Sequence, residues 1–307
     1  MLSGLKKKFS SHKKQILIVI ILLSVAFNIS GLAYFVLTQN SINSNQHLQA
    51  LQARYPLIAT RVLQELPIDI VVNFLALRNN LQNETAPWGD SFGMYFEYLP
   101  TGTSININGT NEFHAASLFK TPIIMAYYHT GERLGIDNDP TLTLKSDELD
   151  SQFGNLWQKG SGYQLKASEA VRLALEESDN TAAKALVSLI GTVDFEAVYQ
   201  GLDINLTVDK DGAVLNIDDS QEILNYLAKS KFPDKLVAGV PPGVTVAHKI
   251  GDFVEKNGNG EAFTDCGIVY IPRRPYLLCM VSKTDEQTAR VRMQDISKMI
   301  YDFVSSI

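Results

Sequence analysis

The sequence predicts a mixed α/β fold (α+β) in which one antiparallel sheet is assembled from both ends of a globular region, with helices inserted between. Three observations predict it. Two alternating runs on either side of residue 100 read as a hairpin. The middle of the chain reads as helices. Three short apolar runs and a long amphipathic helix then close the chain. Strands, then helices, then strands and a helix is an order that a sheet built from both ends satisfies.

The elements follow in order. Residues 1–15 form a basic tail, with Lys6, Lys7, Lys8, Lys13 and Lys14 and no acid. Residues 16–37 are a nearly unbroken apolar run without charge, about long enough to cross a bilayer core as a helix. Lysines flank only its N-terminal side, which predicts a cytoplasmic N-terminus and an exported body. A cleaved signal peptide would carry a shorter apolar region ending in a small-x-small site. This run ends in Tyr34-Phe35-Val36-Leu37, so an uncleaved single-pass anchor in the cell membrane is expected, with the lipid bilayer as a partner. Residues 38–50 are rich in Asn, Gln and Ser and read as a tether. Residues 51–307 read as the globular domain, with a helical subdomain over about 117–230.

Within that domain, helical spacing from Leu51 to about Leu81 predicts two helices broken near Pro67. Ser91–Leu99 and Ser104–Asn108 alternate as strands around Pro100-Thr101-Gly102, a hairpin signal. A helix is expected from near Ser117 to about Leu134, with Pro122 tolerated close to its start. Ser168–Glu177, Asn180–Ile190 and Ser220–Ala228 read as further helices. Thr245–Lys249, Cys266–Ile271 and Tyr276–Ser282 read as strands, and Gln287–Val304 as the closing helix. Cys266 and Cys279 lie in adjacent strands. They read first as small buried residues, with a cross-strand disulfide as the alternative.

Composition narrows the function. The chain is 45% hydrophobic and 20% charged, an ordinary globular balance. Beyond residue 37 it carries 22 basic and 33 acidic residues. An acidic body argues against nucleic acid, whose phosphates need a basic face. No Cys or His spacing suggests a metal site, and no cofactor fingerprint is visible.

Three short motifs occur in order: Ser117-Leu118-Phe119-Lys120 at a helix start, Ser178-Asp179-Asn180 between helices, and Lys249-Ile250-Gly251 at a strand end. Ser and Lys three apart on a helix share a face. A neutral amine there can take the hydroxyl proton, and burial beside a second cation such as Lys249 favours the neutral state. The backbone N–H groups of Ser117 and Asp252 are the candidate oxyanion donors. Each motif alone is weak; together they match the set used by serine β-lactamases and penicillin-binding proteins.

The run Ser178-Asp179-Asn180-Thr181-Ala182-Ala183 resembles the corresponding region of class A serine β-lactamases. His248-Lys249-Ile250-Gly251 and Asp265-Cys266-Gly267-Ile268-Val269-Tyr270 are similar to that family's closing strands. The resemblance covers about residues 65–307. It implies a β-lactamase/transpeptidase-like fold: a five-stranded antiparallel sheet with terminal helices, beside an all-helical subdomain, the site in the groove between. It implies Ser117 as nucleophile, Lys120 as its base, and Ser178 as proton relay helped by Lys249, which would also attract the substrate carboxylate. Asn180, Gly251 and Asp252 would bind substrate, a β-lactam or a peptidoglycan stem peptide, and no cofactor is implied.

Two departures matter. Ile250 stands where the family usually bears a Thr or Ser hydroxyl for the substrate carboxylate. An unsatisfied partner there costs about 1–3 kcal/mol. The family's deacylating Glu, separated from an Asn by three residues, falls on Gly212 if Leu215-Asn216 is matched to the end of that motif, with Asp211 one residue off. Without that base an acyl-enzyme should be long-lived. Two functions are thus expected: a serine acyl-transfer enzyme with slow deacylation, or a non-catalytic peptidoglycan- or protein-binding domain on the same scaffold.

Overall fold

A computed structural model describes residues 46–58, 72–134, 139–190, 215–254 and 261–307. The basic tail, the apolar run 16–37, the start of the tether, the break at Pro67, and Asp211 and Gly212 lie outside the described residues. Among the described residues no helix is long and apolar enough to cross a membrane. Residues 46–54 are helical and belong to an N-terminal unit of their own, so the tether expected to reach residue 50 ends in helix. The second unit, from Tyr55 to Ile307, holds everything that follows.

It opens with helix α1 (Leu75–Thr85) and strands β1 (Phe92–Tyr98) and β2 (Thr103–Ile107). The turn between the strands closes through Gly102, at φ 72°, whose N–H donates to Tyr98 O at 2.8 Å. Helix α2 (Lys120–Leu134) follows a single 3₁₀ turn, Ala116–Phe119. Ser117 therefore lies on the turn before the α-helix rather than in it. Pro122 falls in the first α-turn, where its missing N–H costs no hydrogen bond. Then come the short strands β3 (Thr141–Thr143) and β4 (Gln164–Lys166), and helices α3 (Ala167–Glu176), α4 (Asn180–Ile190) and α5 (Ile217–Leu227). Strands β5 (Val246–Val254), β6 (Glu261–Val269) and β7 (Tyr276–Ser282) and helix α6 (Glu286–Ser306) end the chain.

The sheet order is β2-β1-β7-β6-β5, antiparallel throughout. The N-terminal hairpin thus pairs with the last strand, as the order of elements predicted. One hydrophobic core joins the sheet to α1 and α6, through Leu77, Leu81, Phe96, Tyr276, Met293 and Ile300. A second joins the helices α2 to α5 among themselves and meets the sheet at Ala247.

Two strands run longer than expected. β5 continues through Lys249-Ile250-Gly251-Asp252 to Val254, because each of these residues pairs with β6. Pairing outweighs the weak strand preference of Gly and Asp. The third motif therefore lies within an edge strand. Cys266 and Cys279 are direct partners across β6 and β7 and form a disulfide, the alternative of the two readings.

Candidate active site

The site begins with the turn that carries Ser117. Ala116 has a left-handed backbone, φ 47°, which costs a non-glycine residue about 1–3 kcal/mol and must be held from outside. Two contacts hold it. Ala116 N–H donates to His114 Nδ1 at 3.1 Å, and the His114 ring stacks on Phe253 of β5 at 3.8 Å and 9°. Gly251 lets β5 approach: a Cβ there would lie 2.6 Å from Ala115 O and 3.2 Å from Leu118 N. The edge strand and the serine turn are thus in direct backbone contact.

Lys120, the first residue of α2, is 6% exposed. Its Nζ lies 2.6 Å from Ser117 Oγ, 2.7 Å from Asn180 Oδ1 and 3.5 Å from Ser178 Oγ. Ser178 is fully buried and also left-handed, at φ 56°. Its Oγ accepts from Lys249 Nζ at 2.7 Å. The predicted residues Ser117, Lys120, Ser178, Asn180 and Lys249 therefore form one continuous chain of polar contacts.

Electrostatics sets which groups in that chain can take a proton. Burial lowers Lys120 to about 8, against the opposing pull of Asp179 and Asp150. Burial and then the charge of Lys120 lower Lys249 to about 7, against Asp265 and Asp252. Two buried ammonium groups a serine apart are costly, so an unprotonated amine is accessible near neutral pH. A neutral Lys120 can accept the Ser117 proton, and Ser178 can pass a proton onward to a leaving group.

Sequence reasoning missed several supports. Asp179, 1% exposed, accepts from Leu156 N–H and Ala182 N–H, both at 2.9 Å, and so fixes the Ser178 loop to the start of α4. Asp150 accepts from Asn180 Nδ2 at 3.1 Å and from Lys184 Nζ at 2.8 Å, orienting the amide whose oxygen meets Lys120. Under β5, His248 Nδ1 lies 2.8 Å from Asp265 Oδ1. Asp252, predicted for its N–H, directs its carboxylate to Lys235, with Nζ 3.0 Å from Oδ1. Asp179 lies within the second motif, where its spacing to Ala182 is that of a helix cap; the other partners carry no local signal.

A family described as the beta-lactamase enzyme family matches residues 76–211 and 206–304. The chain belongs to this family. It is 22% identical over 240 residues to the extended-spectrum beta-lactamase PER-1 of Pseudomonas aeruginosa, covering 64% of this chain and 77% of that protein. Among solved structures it superposes on PBP-A with a TM-score of 0.67 at 23% identity, over 76% of this chain and 97% of PBP-A. It superposes on a beta-lactamase from Sphaerobacter thermophilus with a TM-score of 0.66 at 19% identity, over 77% and 99%. A mutant of PBP-A, solved as an acyl-enzyme complex with penicillin G, gives 0.65 at 24% identity, over 76% and 97%. At these identities the superpositions establish the fold, a β-lactamase/transpeptidase-like sheet and helical insertion.

Proposed function

We propose that this chain is an active-site-serine hydrolase or acyltransferase that acts through a Ser117 acyl-enzyme on a β-lactam or a cell-wall stem peptide, and that deacylates slowly. The observation that carries the reading is the 2.6 Å approach of Lys120 Nζ to Ser117 Oγ within the polar chain that ends at Lys249. Neutral Lys120 takes the proton as Ser117 Oγ attacks the carbonyl carbon. The N–H groups of Ser117 and Asp252 receive the oxyanion. As the acyl–nitrogen bond breaks, Ser178 gives its proton to the nitrogen and is reprotonated through Lys120 and Lys249. Asn180 holds the acyl side chain, and Gly251 gives the strand its close approach. Slow deacylation rests on the sequence around Gly212, which offers no glutamate to activate water.

Incubation with a labelled penicillin, followed by intact-mass measurement, tests this. One adduct per chain is expected, lost in Ser117→Ala, with little turnover. Rapid multiple turnover of a chromogenic cephalosporin would overturn the slow-deacylation step. Ile250, 2% exposed and without a hydroxyl, favours a second reading, a peptidoglycan- or protein-binding domain without catalysis. An ordered groove that no β-lactam or activated acyl donor labels would establish that reading instead.

The five lysines before the apolar run 16–37 support an anchor with the N-terminus inside and this domain outside the membrane. Protease added to spheroplasts should then digest the domain, and full protection would refute it.

A further inference from the structure

We propose that the groove selects acyl donors with no free carboxylate on the leaving-group side, such as an internal or amidated peptide or a neutral ester, because Asp252 supplies the negative charge there. The proposal rests on the acyl-serine reading above and names the substrate class of that site.

Three observations support it. First, among the described residues Lys235 is a cation beside the end of the oxyanion strand, and it is already committed. It is 1% exposed, and its Nζ lies 3.0 and 3.1 Å from the two carboxylate oxygens of Asp252. The neighbouring Leu236 N–H donates to buried Asp265 at 3.0 Å, which fixes the loop that carries Lys235. Pulling this ammonium toward a substrate anion would leave a buried charge unpaired.

Second, Asp252 is partly open, with 21% of its side chain exposed, and it lies on the same strand face as Ile250, two residues away. Ile250 is a buried alkyl group and His248, next on this face, is buried against Asp265, so the partly open side chain this face offers a substrate anion is the Asp252 carboxylate. The charge of Asp252 also reaches the catalytic groups, since it raises the proton affinity of Lys249.

Third, among the described residues the local charge carries no surplus cation. Lys120, Lys184, Lys235 and Lys249 are faced by Asp150, Asp179, Asp252 and Asp265. A carboxylate entering this field meets at best neutrality. An amide or ester enters without that penalty and can donate or accept along the edge strand.

The test compares benzylpenicillin with its methyl ester, each acylation rate divided by that compound's alkaline hydrolysis rate. On the unaltered protein, the ester is expected to label faster than the acid by about tenfold or more. Asp252→Asn should shift the acid-to-ester ratio toward the acid by a similar factor. Asp252→Asn combined with Lys235→Met should return part of that shift, because the freed cation is gone. A native preference for the acid, or a ratio unmoved by Asp252→Asn, overturns the proposal. If neither compound forms an adduct, the acyl-enzyme reading fails, and ligand-observed NMR titration of both compounds decides the charge preference separately. Tighter binding of the ester then sustains it, whereas tighter binding of the acid, or binding of neither, overturns it.

Discussion

Replacing Gly251 by alanine tests whether strand β5 and the serine turn form one device. The new Cβ would stand 2.4 Å from Thr264 Oγ1, 2.6 Å from Ala115 O and 3.2 Å from Leu118 N. Heavy atoms of this kind prefer about 3.5–4.0 Å. The Thr264 hydroxyl is tied to Gly251 O at 2.8 Å, and Ala115 O is backbone, so neither contact yields cheaply. Relief requires the strand and the turn to part by about 1 Å. A misplacement of that size costs about 10²-fold in rate, and loss of an oxyanion donor about 10²–10³-fold. Overpacking costs about 1–3 kcal/mol of stability. We therefore expect the acylation rate, followed by intact mass, to fall at least about 10²-fold while the protein still melts cooperatively a few degrees lower. Adding Thr264→Ala removes one clash but leaves the Ala115 carbonyl, so it should recover little. Acylation by Gly251→Ala within about threefold of the native rate would show that this contact does not position the reacting groups.

Three further outcomes are expected. Because the base form of Lys120 is the neutral amine and burial lowers it to about 8, acylation should rise as pH passes through that region; a rate independent of pH between 6.5 and 9 would exclude Lys120 as base. Folded Lys120 and Lys249 bind protons more weakly than an ordinary lysine at 10.5, so the unfolded chain binds more protons between about 7 and 10.5. Their contribution to stability thus rises with pH across that window, and Lys249→Met should flatten the rise in urea midpoint. Asp179→Ala removes the acceptor of two buried backbone N–H groups and should cost about 2–4 kcal/mol in urea unfolding, while an unchanged midpoint would show that the Ser178 loop is held by other means.

The elements that set the fold were legible because their periods are long enough to read. β7 alternates buried and half-buried residues along its whole length, and α3 and α4 bury continuous apolar faces. The three-residue strands β3 and β4 are too short for a period of two to register. The residues of the candidate site were legible as motifs because Ser117 and Lys120 share one turn of backbone. What supports them was not. Lys235 and Asp252 are 17 residues apart and meet only through tertiary packing. Nor does any composition announce the left-handed backbone at Ala116 and Ser178, since neither residue type favours it. The extent of β5 was underread because Gly251 and Asp252 look like a strand exit until the partner strand is known.

The sheet order has a consequence for how the protein comes into being. β1 can pair with β2 as soon as both have been synthesised, but its other edge waits for β7, more than 170 residues later. In the sheet, β5, which carries Lys249, has β6 as its neighbour, and β6 in turn has β7. A ribosome therefore delivers the serine and its neighbouring lysine well before strand β5 can pack against their turn. The groove is completed by the last strands of the chain, so a truncated or stalled product carries all the residues of the first two motifs but neither Lys249 nor the strand that faces them.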